Sequence, residues 1–305
     1  MTPADMRVGI KKWFGDVYND YPQLYSRIFK IVSSNRSYEE DALFSGLPLL
    51  QEKDEAGSVN YVTGKQGYTP RYDHIEMALA FQISQNLIDD GVALNVAERL
   101  SKGLARSSRL TDEILAHQVL NRAFTASGLG LMVNGDGVAL CSTTHPIRGN
   151  GVTTTFANKP VTDLDLSEAA LEAALIDIGN MVDDRGNRIY VTGQKLVVNI
   201  NEQFNAHRIL KSTQRVATTD NDANAMKDMG MLSEVIATPY TTDTDAWFIV
   251  TSVTEAGDGL KFYNRKDAVI DSDKDFDTNS GKYKVCRRLS VGFSDPRGLY
   301  GSAGI

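Results

Sequence analysis

Cysteine is almost absent: Cys141 and Cys286 are the two thiols in 305 residues. Two thiols cannot build a disulfide framework, which fits a reducing compartment. Long apolar runs are missing too. No stretch of about 18 apolar residues exists, so no helical membrane span is predicted. The opening Met1-Thr-Pro-Ala-Asp-Met-Arg has no apolar core, and no export signal is read from it. Histidine is scarce, and His74, His117, His145 and His207 stand isolated, with no His-Glu-x-x-His or Cys-x-x-Cys among them. The usual zinc frameworks are thereby excluded. Basic excess is lacking as well: 32 Lys and Arg against 39 Asp and Glu leave a net charge of −7. That argues against a dedicated nucleic-acid binder, whose surface must be basic.

Other chemistries fail on detail. Asp271, Asp273, Asp275 and Asp277 alternate as in a calcium loop, yet Phe276 and Lys282 stand where that loop needs Gly and Glu. The preferred reading is an acidic hairpin tip. Gly128-x-Gly130 and Gly135-x-Gly137 lack the lysine and the strand–turn–helix setting of a phosphate loop. Ser142, Thr143, Thr144 and His145 are adjacent, but no Gly-x-Ser-x-Gly elbow presents a nucleophile. A hydrolase using His145 with an acidic partner such as Asp136 is kept as the rival of another class. No metal and no cofactor is expected.

What is present is organised around one long amphipathic helix, predicted from Ala93 to Ala126. Val96, Ala97, Leu100, Leu104, Ile114 and Leu115 share one arc, with Glu98, Arg99, Lys102, Arg106, Arg109, Glu113 and His117 opposite. Asp89, Asp90 and Asn95 are the expected caps, and Ser127-Gly128 the stop. Before it, Ile75 to Ile83 alternates apolar and polar as a strand with one buried face. Residues 1–36 hold six Lys/Arg against three Asp, a balance of +3 that leaves −10 on the rest. They carry Trp13 and Phe14 in a helix that must pack on something. The stretch 37–74 is loop-rich. Within it 58–63 and 68–72 are predicted to flank Gly64–Gly67 as a hairpin too polar to stand alone. After the long helix come a Gly-rich connection, a helix from Ser167 to Val182, strands at 188–200, 235–240 and 247–251, a short helix at 203–210, and an Asp/Asn-rich loop at 218–228. Strands from Leu260 to Phe293 close the chain.

Four segments carry a family resemblance: Asp136-Gly-Val-Ala-Leu-Cys-Ser-Thr-Thr-His145-Pro146, Lys195 to Leu210, Pro239-Tyr with Trp247-Phe-Ile, and Lys284 through Asp295-Pro296-Arg297-Gly298 to Tyr300. In them the chain resembles the major capsid (head) proteins of tailed bacteriophages with the HK97-type fold, and among these the Mu-like head subunits most. The resemblance implies an α+β fold. Its parts would be an N-terminal arm at 1–36, an extended loop at 37–74, a peripheral domain at 75–127 and 258–305 built on the long spine helix, and an inserted axial domain at 128–257. It further implies self-assembly as pentamers and hexamers into an icosahedral phage head enclosing double-stranded DNA. Portal, scaffold or decoration proteins are possible partners, and the location would be the virion, or the host cytoplasm during assembly. The same-fold alternative is an encapsulin-like shell. The arm and loop would lie on neighbours, making Trp13, Phe14, Lys53, Tyr61, Lys65, Tyr68 and Arg71 candidate intersubunit contacts. Some relatives crosslink a loop Lys to an Asn. Lys53 or Lys65 stands at such a position here, but no motif marks the partner Asn or the catalytic Glu.

Overall fold

The computed structural model describes all residues except 1–2, 54, 56, 65, 126–135, 148–154, 215–222 and 276, and, for 3–5, their backbone only. In chain order it forms α1 (Pro3–Asp20), α2 (Tyr25–Ile28), β1 (Lys30–Ser33), β2 (Tyr38–Glu40), β3 (Arg71–Asp73), β4 (Ile75–Ile83), α3 (Gln85–Asp89) and α4 (Ala93–Asn121). Then come β5 (His145–Pro146), β6 (Thr155–Phe156), α5 (Glu168–Gly179), β7 (Gly193–Asn199), α6 (Gln203–Lys211), α7 (Ala225–Met229), β8 (Glu234–Thr238) and β9 (Trp247–Thr251). The chain closes with α8 (Ser252–Ala256), β10 (Leu260–Lys274), β11 (Gly281–Phe293) and β12 (Leu299–Ser302).

Two four-stranded sheets divide the body. The first has the order β1-β10-β11-β4 and carries α4 across one face; the second has the order β12-β9-β7-β8 and carries α5 and α6. Periodicity explains the first. On β11, Tyr283, Val285, Leu289 and Val291 turn into the core, and across the strand Lys282, Lys284 and Arg288 face Asp273, Asp271 and Glu76. Opposite charges directly paired stabilise a solvated sheet face modestly, by roughly 0.2–1 kcal/mol each. One core joins the sheets, with Leu115, Val119 and Leu120 of α4 meeting Phe248, Phe262, Leu289 and Phe293. The last strand leaves the first sheet: β12 pairs with β9, so the segment after β11 closes the second sheet.

The long helix is real, but its faces are not those of the apolar arc. It is 29 residues, about 44 Å at ~1.5 Å per residue, and its N-cap is Val92, with no side-chain capping bond from Asp89, Asp90 or Asn95. It stops at Asn121, with a turn at 122–124; the expected stop at Ser127-Gly128 lies outside the described residues. Leu100 and Ile114 are still 39% and 43% exposed, whereas Arg109, Asp112, Glu113 and His117 are buried. The reason is a second covering layer. Ala93, Ala97, Ser101 and Ala105 recur every fourth residue and make a low ridge on which α1 lies, with Ser101 Oγ donating to the Ile10 carbonyl (2.9 Å).

The arm is therefore folded onto its own body rather than left for a neighbour. Met6, Ile10 and Phe14 are buried against Ala97, Leu104 and Tyr283, and β1 adds to β10 in parallel. Burying side chains of this size contributes about 1.5–3 kcal/mol apiece. The predicted hairpin is also different. Its ladder joins β2 to β3 and continues through Leu43 N–H to the Tyr68 carbonyl (2.9 Å), while no described residue from 45 to 64 is in a strand. Within the expected 218–228 loop, 218–222 lie outside the described residues and Ala225–Met229 is helical.

Candidate functional site

Two regions hold the residues singled out from sequence. In the first, His145 and the Asp-Pro-Arg-Gly run converge on Asn158. His145 is fully buried. Its Nδ1 meets Asp136 Oδ2 (2.5 Å), and its Nε2 meets Asn158 Oδ1 (3.0 Å) and the Leu140 carbonyl (3.2 Å). The expected His–Asp pair thus forms. Facing two oxygens, however, Nε2 is a hydrogen-bond donor with no lone pair offered to a nucleophile. Ser142 Oγ bonds Thr144 instead, so a hydrolase has no support here. Asn158 Nδ2 donates to the carbonyls of Leu140 (2.7 Å), Pro296 (2.9 Å) and Leu299 (3.0 Å). One amide therefore ties the loop after α4 to the closing segment. Asn158 was not anticipated, because a lone Asn in a polar loop carries no sequence signal.

The Asp-Pro-Arg-Gly run earns its specificity from packing. Asp295 Oδ1 accepts from the Arg297 N–H (2.9 Å) and closes the turn. Arg297 reaches the Val182 carbonyl (2.9 Å) and Asp184 (2.8 Å), lies over the Phe156 ring, and pairs with Asp295 (3.3 Å). Burial works against its charge, but Asp295 and Asp184 outweigh that and hold its pKa above the ordinary arginine value. Gly298 is required by close approach: a Cβ there would sit 2.5 Å from Thr254 Oγ1 and 2.6 Å from Gly259 Cα.

The second region is the extended loop. Leu47, Leu49, Leu50, Val59 and Tyr61 are exposed, Leu50 completely and Tyr61 at 93%, and its two limbs enclose an open groove of about 370 Å³. Lys53 is exposed at its tip; Lys65 lies outside the described residues. Tyr68 is half-buried in the ladder, and Arg71 stacks over Tyr38 (4.0 Å) and pairs with Asp73 (3.0 Å). Trp13 is half-buried. Phe14, proposed as an intersubunit contact, is 5% exposed and belongs to the chain's own core. The acidic tip places Asp275 beside Lys282 (2.6 Å) and Thr278, and among the described residues no group of three His, Cys, Asp or Glu is placed to hold a metal.

A long helix laid on a sheet, a second sheet inserted after it, and a loop without its own core are the features on which comparison bears. The family model for phage capsid protein matches residues 71–302. The chain belongs to the phage capsid protein family. Its fold is shared with several solved shells. The virus-like particle of Pyrococcus furiosus matches at 11% identity and TM-score 0.52, over 96% of this chain and 97% of that one. The procapsid of bacteriophage JBD30 matches at 15% and 0.52, over 99% and 76%. The capsid of a native GTA particle matches at 14% and 0.54, over 92% and 90%. No curated protein matches. This capsid protein is a shell-forming major subunit with the HK97-type architecture, and its long helix is the spine helix.

Proposed function

We propose that the capsid protein closes an icosahedral head around double-stranded DNA, and that the extended loop makes the decisive contact between subunits. The observation that carries this is the loop itself. Five large apolar side chains stand in solvent on a segment without secondary structure, an arrangement that is unfavourable unless another surface covers it. The spine helix offers one. Arg99, Leu100, Gly103, Arg106, Leu110 and Ile114 form an exposed stripe, with Leu79 of edge strand β4 beside it. Glu52 and Glu55 near the loop tip complement Arg99 and Arg106 in charge. Subunits joined head-to-tail in this way close into rings, and the rings into a shell. A net charge of −7 suits a container that encloses DNA without gripping its phosphates.

Under this reading the subunits form pentamers and hexamers. The finished protein resides in the virion, after assembly in the host cytoplasm with portal, scaffold or decoration partners. A JBD30 capsid decorated with minor capsid protein trimers shares the fold at 14% identity and TM-score 0.54, over 73% of this chain, which favours a decorated shell. Negative-stain electron microscopy of the purified protein tests the proposal. Shells or capsomers are expected, and a chain that stays monomeric at high concentration would refute it.

A further inference from the structure

β4 is an edge strand, and its outer edge is unguarded. It pairs with β11 through all nine residues in unbroken register, and among the described residues nothing pairs with it on the other side. Such an edge is normally blunted by charge, proline or a bulge, because its free N–H and C=O groups template another strand. Met77-Ala-Leu-Ala-Phe-Gln-Ile83 has none of these devices. The opposite edge of the sheet, β1, has only four residues and carries an exposed Lys30. Between β4 and α4 runs an open groove of about 230 Å³, lined by Met77, Leu79, Ser107, Thr111 and Val285. Arg287, 4% exposed, lies at its floor. Its Nη1 bonds Asp112 and Tyr18 Oη (2.7 Å), and its Nε has no hydrogen-bond partner among the described residues.

The extended loop carries the matching half. Ser58-Val-Asn-Tyr-Val-Thr63 is rich in strand-forming residues, yet all six are exposed and, among the described residues, their main chain bonds nothing. Alternation puts Val59, Tyr61 and Thr63 on one face and Ser58, Asn60 and Val62 on the other. Building on the loop as the contact between subunits, we propose that residues 58–63 of one copy add as a strand to the free edge of β4 in a second copy. Directly opposed residues of paired strands share a face. Leu79 stands opposite Val285 on the helix side of the sheet, so it meets the face formed by 59, 61 and 63. Val59 and Tyr61 then cover Leu79, which is 51% exposed, and fill the groove beside α4. There the Tyr61 hydroxyl offers Arg287 Nε the acceptor it lacks. Ser58, Asn60 and Val62 take the outer face beside Ala78 and Ala80, whose small side chains leave the added backbone room. Charge agrees as well: the loop tip holds exposed Glu52 and Glu55, and α4 carries exposed Arg99 and Arg106. The added ladder supplies affinity through the main chain, and the alternate side chains set its register.

A cysteine scan of the full-length protein tests the pairing. In a Cys286→Ser background, Leu79→Cys is combined in turn with Val59→Cys, Asn60→Cys, Tyr61→Cys, Val62→Cys and Thr63→Cys. Assembled particles are oxidised and their subunits separated under denaturing, non-reducing conditions. A disulfide needs Cα atoms within about 7 Å, so strand addition predicts covalent ladders at 59, 61 or 63, about tenfold stronger than at 60 and 62. Particles that cross-link without this alternation, or not at all, overturn the strand addition and leave the loop as an ordinary contact. A wild type that forms no particles overturns the loop reading itself, and the pairing with it. Should the cysteine variants not assemble, amide exchange of wild-type particles decides. Alternate amides within 58–63 and within 77–81 must then be protected by about tenfold or more over the unassembled subunit. If those of β4 exchange as fast in the particle as in the free subunit, the pairing fails whatever the loop does.

Discussion

Asn158→Ala is the substitution whose cost the structure specifies most tightly. Asn158 is fully buried, its Nδ2 serves the carbonyls of Leu140, Pro296 and Leu299, and its Oδ1 accepts from the Ser142 N–H (2.8 Å) and His145. Alanine removes every one of these partners at once. Leu140 keeps His145 and Pro296 keeps the Leu299 N–H, so the carbonyl of Leu299 and the N–H of Ser142 are the groups orphaned. At about 1–3 kcal/mol for each group left unsatisfied, less for the partly buried Ser142, the expected loss is about 2–4 kcal/mol. Against a typical total of about 5–15 kcal/mol this is severe. In urea, at a slope near 3 kcal/mol/M, the unfolding midpoint of the isolated subunit should fall by about 1 M. A loss below about 1 kcal/mol with an unchanged slope would show that water or relaxation satisfies these groups, and the amide would not be the tie between the two segments.

Gly298→Ala forces a methyl group into the Gly259 backbone and Thr254, so a loss of about 2 kcal/mol or more is expected by the same urea assay, with Gly259→Ala behaving alike. Asp112→Ala strands two buried guanidiniums and should cost about 3–5 kcal/mol, while Asp112→Leu with Arg287→Met should recover more than half of that; additive losses in thermal unfolding would contradict the pairing. Replacing residues 48–62 by a short Gly-Ser linker should leave the subunit's unfolding midpoint unchanged and abolish particles by electron microscopy. The cut must stop short of Tyr72, which is fully buried with its hydroxyl on Ser294 (2.7 Å), because removing that ring would damage the core itself.

Much of the architecture was legible wherever a periodic pattern met a single solvent boundary. β4, β7, β9, β10 and β11 lie where alternation or apolar runs placed them, and Ser167 caps α5 by accepting from the Ala170 N–H (3.2 Å). The spine helix was legible in position and not in orientation. Hydrophobic periodicity assumes one buried face, but this helix is covered by the sheet on one side and by α1 on the other. The second covering uses alanine, serine and buried ion pairs, which a hydrophobicity pattern scores as surface. The same failure hid Arg109, Glu113 and His117 among residues placed opposite the apolar arc. The pairing of Asp136 with His145 was weighed only as part of the rival hydrolase reading. Its real character came from Asn158 and the Leu140 carbonyl, brought in from 13 and 5 residues away.

The sequence alone determined the composition class, the order of helices and strands, the loop unable to pack on itself, and the motifs that place the chain among phage capsid proteins. All of these depend on short-range patterns that the chain carries residue by residue. Only the tertiary structure decided that the arm folds back on the spine helix, that the final strand crosses to the second sheet, and that the acidic Glu113 lies buried where the arm turns into α2. Those outcomes depend on which distant surfaces meet, and burial, not residue type, then decides whether a charge is solvated or confined.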